Sequence, residues 1–418
     1  MKAVQIEADW NPRIRGRRAT EADSKHRFPV LKSRPTEPEG PGVDSESPSS
    51  PMAGQRAEQA CNFWQNPRFC QAQLPDPQPL AEEVVIEVAL CGICGSDTHC
   101  YQTDVDGYVL FSGPARFPVV PGHEYSGRVV AIGAAVRDIR LGQLVTAEGM
   151  LYCGTCAACR RGRFNQCFHL ELTGLTAPGA FARYIAVHEK HVWGLDGLAN
   201  SYGDEKRALV NGALVEPLGC AFNGIWGEGR GLLPGSHVAV FGCGPIGLGA
   251  ILLCRAAGAA TITAFDVIDE RVALAKACGA DFAHTMDELQ YLGSTPSKLV
   301  LEQTGGWGAD LVVEAAGAIG QTMPEIEACF APAGGLVYLG RTGERALVGL
   351  DVLVSSASWI VGARGHAGGS FDHLIRMMER GVLDPGAIVT AQLPLDDVLV
   401  GMKQSTTRKD GKILLISQ

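Results

Sequence analysis

The sequence predicts an α/β chain in which a β-rich domain is joined to a doubly wound domain built on a parallel sheet. Three observations carry that expectation. Short strands separated by Gly and Pro turns run from about Glu83 to Ala186. From about Cys220 the texture changes to strands alternating with longer apolar helical segments. A glycine-rich turn, GCGPIG, stands at the first strand-to-helix junction of that second region. With 418 residues, 46% of them hydrophobic, the chain has apolar material enough for two cores.

Taken in order, Met1 to Glu7 alternates and opens a sheet. Residues 16 to 58 are polar and rich in Pro, Ser, Glu and Arg, with PTEPEGPG and SESPSSP among them, and cannot bury enough apolar area to offset their ordering entropy. They are expected to be a disordered insertion. Order resumes near Asn62, and EVVIEVAL (Glu83 to Leu90) is a period-2 strand leading into a cysteine cluster. In the second region the expected strands are Val238 to Phe241, Ala260 to Phe265, Leu311 to Glu314, Gly335 to Leu339 and Ile360 to Val361. The expected helices are Leu248 to Ala257 and Glu270 to Cys278. The tail carries an amphipathic helix, Phe371 to Arg380, and a final strand, Lys412 to Ser417, which is expected to rejoin the first domain. The domains are therefore 1–217 with 364–418, and 218–363 inserted between them.

A net charge of -9 argues against nucleic acid or an anionic membrane as partner, since both reward a basic face. Small molecules fit better. Met1 to Trp10 has no apolar core of signal-peptide length, and the apolar run from His237 to Phe265 is broken by Gly242, Gly244, Pro245, Gly247, Gly249 and Gly258. Fourteen cysteines in a large chain, several at metal-ligand spacings, point to a reducing cytoplasm rather than to disulfides. Scattered ones such as Cys254, Cys278 and Cys329 read as small buried hydrophobes.

Two constellations carry metal chemistry. CGTCAACRRGRFNQC sets Cys153, Cys156, Cys159 and Cys167 at C-x2-C-x2-C-x7-C, and four thiolates close a tetrahedron around one zinc with no open position. The second set is dispersed over CGICGSDTH, PGHEYSG and ALVEPLG. Cys94, His123 and one of Glu124 or Glu216 supply the three protein ligands of an open, catalytic zinc. Asp97 is placed to take the free N–H of His123. In HVAVFGCGPIG, Gly242, Gly244 and Gly247 allow a tight turn and close approach of a pyrophosphate to a helix N-terminus. Asp266 at the end of the next strand is expected to bond ribose hydroxyls and so favour NAD over NADP, with Arg271 flanking the adenosine ribose.

In order and approximate spacing these blocks resemble the medium-chain zinc alcohol dehydrogenase family over nearly the whole chain beyond residue 60, and within it the polyol and inositol branch. TDVDGYVLFSGPARFPVVPGHE and GARGHAGGSF are similar to scyllo-inosose dehydrogenases, which act on ring cyclitols. The resemblance implies a GroES-like catalytic domain, a Rossmann domain, two zinc ions per chain, NAD, and a homodimer or homotetramer. It makes Cys94 and His123 zinc ligands, with Glu124 and Glu216 sharing the remaining position or holding it through water. It makes Ser96 the hydroxyl that receives the substrate proton and passes it through the cofactor ribose towards His99. Cys100 stands where sorbitol-type members have a tyrosine, and Gly365 followed by His366 where they have an arginine, so His366 and Arg364 are expected to read ring hydroxyls. The reaction implied is hydride transfer between NAD and the secondary alcohol or ketone of a cyclitol. An acyclic polyol or threonine is the alternative. A zinc-stabilised binding protein without activity is disfavoured by the intact Cys94, Ser96, His123 and Glu216.

Overall fold

The apolar alternation beginning at Glu83 produces the strand Glu83–Gly92, on which the first domain is organised. Val84, Val85, Ile86 and Val88 are all buried, because the strand is paired along both edges and covered on both faces. Glu124–Ile132 and Tyr184–His188 pair with it antiparallel, and so does Lys412–Ile416 from the end of the chain. Val389–Pro394 lies parallel to that last strand. The tail thus enters the sheet that begins at Glu83, and Lys412 arrives beside the start of Glu124–Ile132.

The computed structural model describes residues 1–11, 58–341, 345–367 and 369–417. The insertion expected over 16–58 lies outside the described residues except for Glu58, which with Gln59 forms a short strand against Pro114–Ala115. Lys2–Trp10 pairs antiparallel with Trp64–Gln73.

The second region is a six-stranded parallel sheet in the spatial order Phe282–Thr285, Thr261–Asp266, His237–Phe241, Ala309–Glu314, Phe330–Tyr338, Trp359–Gly362. The chain order reverses between His237–Phe241 and Ala309–Glu314, the switch point at which open α/β sheets bind ligands. Five of these strands fall where the apolar runs predict them. Phe282–Thr285 was not expected: it is four residues long, sits at the sheet edge and turns Phe282 outward, so neither length nor alternation marks it. Helix Pro245–Ala256 opens with proline at its first position, where the missing N–H has no intrahelical partner to lose.

The two regions share a core. Leu214, Val215, Leu218 and Ile225 pack in one cluster with Val240, Leu248 and Ile251, and with Phe371, Leu374 and Met378 of helix Ser370–Glu379. Full burial of such a side chain contributes about 1.5–3 kcal/mol, so this junction is a packed interface rather than a loose hinge. No single described helix is long and apolar enough to cross a membrane. The bent pair Glu205–Ala213 and Val215–Glu228 passes by composition alone, and its apolar residues lie in this core.

Candidate metal centres and cofactor cleft

Cys153, Cys156, Cys159 and Cys167 converge with their ligand atoms within 4.8 Å of one another. Their Sγ atoms stand 3.6 Å (Cys156 to Cys159), 3.8 Å (Cys156 to Cys167) and 3.6 Å (Cys167 to Cys153) apart. A tetrahedron with Zn–S bonds of about 2.3 Å has edges of about 3.8 Å. The loop therefore holds the geometry of a closed zinc site. The backbone N–H groups of Thr155 and Cys156 donate to Cys153 Sγ and pull its thiol down to about 5, ready to ligate.

The dispersed set is assembled by three elements. Cys94 precedes helix Gly95–Tyr101, His123 and Glu124 stand at the start of strand Glu124–Ile132, and Glu216 lies in helix Val215–Phe222. The ligand atoms of Cys94, His123 and Glu124 lie within 4.8 Å of one another. Ser96 Oγ is 3.4 Å from His123 Nε2. Asp97 caps the helix through the Cys94 N–H at 2.9 Å, and its other oxygen faces His123 Nδ1 at 3.9 Å. That oxygen and that nitrogen are both buried without a hydrogen-bond partner among the described residues. Burial alone would lower the His123 imidazole, but Asp97 and Cys94 carry it well above the ordinary value. A centre that draws a proton so strongly is short of positive charge, and its thiol, imidazole and carboxylate donors fit a divalent zinc.

Glu124 is committed elsewhere. Lys412 Nζ donates to both of its oxygens, at 2.7 and 2.6 Å, and to the Ile93 carbonyl at 3.1 Å. Burial pulls the ammonium down, yet the charge of Glu124 and the bonds to it leave Lys412 above its ordinary value. Gly92 is required here, since a Cβ on it would stand 2.3 Å from Glu124 Oε2. Glu216 lines the cleft outside the compact Cys94–His123–Glu124 group, with His366 Nε2 at 3.7 Å and Cys220 Sγ at 3.9 Å from its Oε1.

A cleft of about 790 Å³ runs from Cys94, Ser96, His123, Glu124 and Glu216 to Ile246, Tyr338, Leu339 and Gly340 of the parallel-sheet domain. Phe111, Pro114, Leu172 and Leu175 form an apolar wall, and Arg163, Gln166, Thr173, Arg341 and Arg364 bring polar groups. His99 is half-buried beside this cleft, not on its lining, and burial together with Arg408 and Arg341 holds its imidazole below the ordinary value.

Gly242 adopts φ 90°, and a Cβ on Gly247 would lie 1.8 Å from the Gly242 carbonyl, so both positions of the turn require glycine. Asp266 Oδ2 accepts the Cys243 N–H at 2.7 Å, while Oδ1 accepts those of Val267 and Ile268 at 2.7 and 3.1 Å. The carboxylate thus ties the second strand to the glycine turn. Arg271 reaches the same turn, with its Nη1 3.6 Å from where a Gly244 Cβ would stand.

His366 is placed otherwise than the sequence suggests. It is 1% exposed and absent from the cleft lining, whereas Arg364 beside it lines the cleft and has its carbonyl held by Asn165 Nδ2 at 3.0 Å. Direct reading of ring hydroxyls by this imidazole is incompatible with that burial. Lys412, Glu148, Trp193 and Arg163 escaped the sequence reading. Only Lys412 gave a signal, as a charged residue opening the apolar run KILLI.

The chain matches the model of the alcohol dehydrogenase GroES-like domain over residues 80–197 and that of the zinc-binding dehydrogenase over residues 245–380. It is 33% identical to the scyllo-inosose 3-dehydrogenase of Thermotoga maritima, covering 98% of each chain. It is 32% identical to the L-threonine 3-dehydrogenase of Bacillus velezensis, covering 82% of this chain and 94% of that one. A solved structure from Thermotoga maritima superposes with a TM-score of 0.85 at 30% identity, covering 99% of both chains. Two family models, and relatives matched over nearly the whole chain, have one reading: the chain belongs to the medium-chain zinc alcohol dehydrogenases and is a zinc-dependent alcohol or polyol dehydrogenase.

Proposed function

We propose that this dehydrogenase moves a hydride between NAD and the secondary alcohol or ketone of a cyclitol of the inosose or amino-inositol type. The observation that carries the reading is the extent of the similarity to the scyllo-inosose enzyme, 98% of the chain, against 82% for the threonine enzyme. The cleft supports it. A cyclitol offers an apolar C–H face to a wall such as Phe111, Pro114, Leu172 and Leu175, and a girdle of hydroxyls to Arg163, Gln166, Thr173 and Arg364.

Cys94, His123 and a carboxylate would hold the catalytic zinc. With both Glu124 oxygens engaged by Lys412, Glu216 is the carboxylate left for the third position. When bound, the zinc polarises the substrate oxygen and the nicotinamide takes the hydride. The chain's own groups do the rest. Asp97 orients His123 through Nδ1. Ser96, beside His123 and on the cleft wall, receives the substrate hydroxyl proton and passes it towards His99, whose depressed pKa keeps it unprotonated and able to accept at neutral pH. Asp266, with an acidic edge at the ribose end of the turn, favours NAD over NADP, and Arg271 flanks the adenosine ribose.

A homodimer or homotetramer in the cytoplasm is the expected form. The sheet edge Trp359–Gly362 and the neighbouring helix Leu350–Ser356, which buries none of its residues, leave Leu350, Val354 and Ile360 exposed for a second copy.

Following NAD reduction with inositols, amino-inositols, sorbitol and threonine tests the substrate assignment. Ring polyols should lead in kcat/KM. Equal or better turnover of sorbitol or threonine overturns it and leaves the zinc chemistry untouched.

A further inference from the structure

Behind the cleft four polar side chains from four segments meet in the interior. Trp193 lies on strand Val192–Gly194, Glu148 follows strand Leu144–Ala147, His366 precedes helix Ser370–Glu379, and Glu216 sits in helix Val215–Phe222. Trp193 Nε1 donates to Glu148 Oε1 at 3.0 Å. Glu148 Oε2 stands 4.0 Å from His366 Nδ1, and His366 Nε2 stands 3.7 Å from Glu216 Oε1. Glu148 and His366 are each 1% exposed, and both ring nitrogens of His366 lack a hydrogen-bond partner among the described residues. The ring is fixed from outside, by Phe371 at 5.0 Å between centroids and by the close passage of Gly219, whose Cβ would come within 3.1 Å of His366 Cβ.

We infer that Trp193, Glu148 and His366 form a buried ladder whose function is to position Glu216 as the carboxylate ligand of the catalytic metal, an inference that rests on the zinc reading of the Cys94–His123 centre proposed above. Buried polar atoms left without partners cost about 1–3 kcal/mol each, so a sealed imidazole flanked by two carboxyl groups a few tenths of an ångström beyond bonding distance is an arrangement that closes when its neighbours engage. Donor counting fixes how. As a metal ligand Glu216 would be ionised and could only accept, so Nε2 would carry the imidazole proton and donate to it. Nδ1 is then an acceptor facing Glu148, which satisfies it only as a carboxylic acid, the form favoured by burial that pushes Glu148 up to about 7. In this state every rung is filled: Trp193 to Glu148, Glu148 to His366, His366 to Glu216. The second oxygen of Glu216 is left to face the cleft. His366 and Glu148 are positioning residues and touch neither substrate nor cofactor.

The ladder predicts a pattern that a merely structural role would not give. An amide at position 148 can donate to Nδ1 as the acid does, whereas alanine cannot. Zinc affinity is measured by chelator competition on the purified full chain for wild type, Glu148→Gln, Glu148→Ala, His366→Ala and Cys94→Ser, with the visible spectrum of the cobalt-substituted centre as a second readout. Glu148→Ala and His366→Ala should weaken the second, catalytic equivalent about 10–100-fold while keeping the four-cysteine equivalent, and should shift the cobalt bands. Glu148→Gln should stay within about threefold of wild type. Wild-type affinity and spectrum in Glu148→Ala overturn the ladder even if His366→Ala fails to fold, and so does a Glu148→Gln variant as weak as Glu148→Ala. Wild type holding a single equivalent that Cys94→Ser leaves unchanged overturns instead the zinc reading on which the ladder rests.

Discussion

Replacing Lys412 by methionine keeps the apolar stem and deletes the only ammonium that contacts Glu124 among the described residues. Lys412 is 1% exposed and Glu124 is fully buried, so water cannot take over the charge that is left. Removing one partner of a buried pair costs about 3–5 kcal/mol, because the remaining ion keeps its desolvation penalty and loses its compensation. At roughly 2–4 °C per kcal/mol for a domain of this size, that is a fall in Tm of roughly 6–20 °C. The measurement belongs in a Cys94→Ser background, where metal cannot neutralise Glu124 in place of the lysine, and is read by urea denaturation with circular dichroism. Lys412→Met with Glu124→Gln should recover most of the loss, since a neutral pair carries no stranded charge. A single-variant loss below about 1 kcal/mol, or no recovery in the double variant, would refute the argument that this pair is an electrostatic unit.

Three further outcomes are expected. Ser96→Ala should lower turnover about 10²–10⁴-fold with zinc content unchanged, as measured by elemental analysis beside steady-state rates, if its hydroxyl is a positioned proton carrier. Asp266→Ser should reduce the ratio of kcat/KM for NAD over NADP, and an unchanged ratio would limit Asp266 to its observed bonds with the glycine turn. His191 is 2% exposed and burial pulls its imidazole to about 3, so the unfolded chain binds its proton first: stability is whole above about pH 6.5 and is lost as pH falls towards 3. Between pH 6.5 and 5 that loss is on the order of 2 kcal/mol, and urea midpoints of His191→Gln at pH 7 and pH 5 should lie closer together than those of wild type by a corresponding amount.

What the sequence made legible is local. The four cysteines within one loop and the glycines of one turn each bring all their atoms together within a few residues of chain, and short-range geometry leaves them little freedom. The strands of the parallel sheet are readable because burial on both faces makes them uniformly apolar, as in Val238, Ala239 and Val240. Phe282–Thr285 is not readable for the converse reason, being an edge strand with only Ala283 and Thr285 inward. His366 shows the limit at a site. Its neighbours Gly365 at φ 54° and Gly369 at φ 90° turn the loop so that the imidazole enters the interior and the Arg364 side chain stays on the cleft, and the sequence GARGHAGG does not say which of the two goes in.

The pairing of Lys412 with Glu124 depends on a strand contact between residues 288 positions apart, and no local pattern encodes it. It is also the contact on which the proposed choice of Glu216 over Glu124 as zinc ligand rests. Cys94, Asp97, Glu124 and Glu216 gather acidic groups around one imidazole, and in a low dielectric such a cluster is stable only if cations answer it. Lys412 answers Glu124 through both oxygens, and in the proposed reading this is what removes it as a ligand. The charge that Lys412 does not bond lies on the Cys94 and Glu216 side of His123, and both residues line the cleft. A zinc held as proposed would therefore sit on the cleft side of His123. In Lys412→Met the same reasoning makes Glu124 a rival ligand, so zinc should bind at least as tightly while turnover falls, because a fourth protein donor would occupy the open position that catalysis needs.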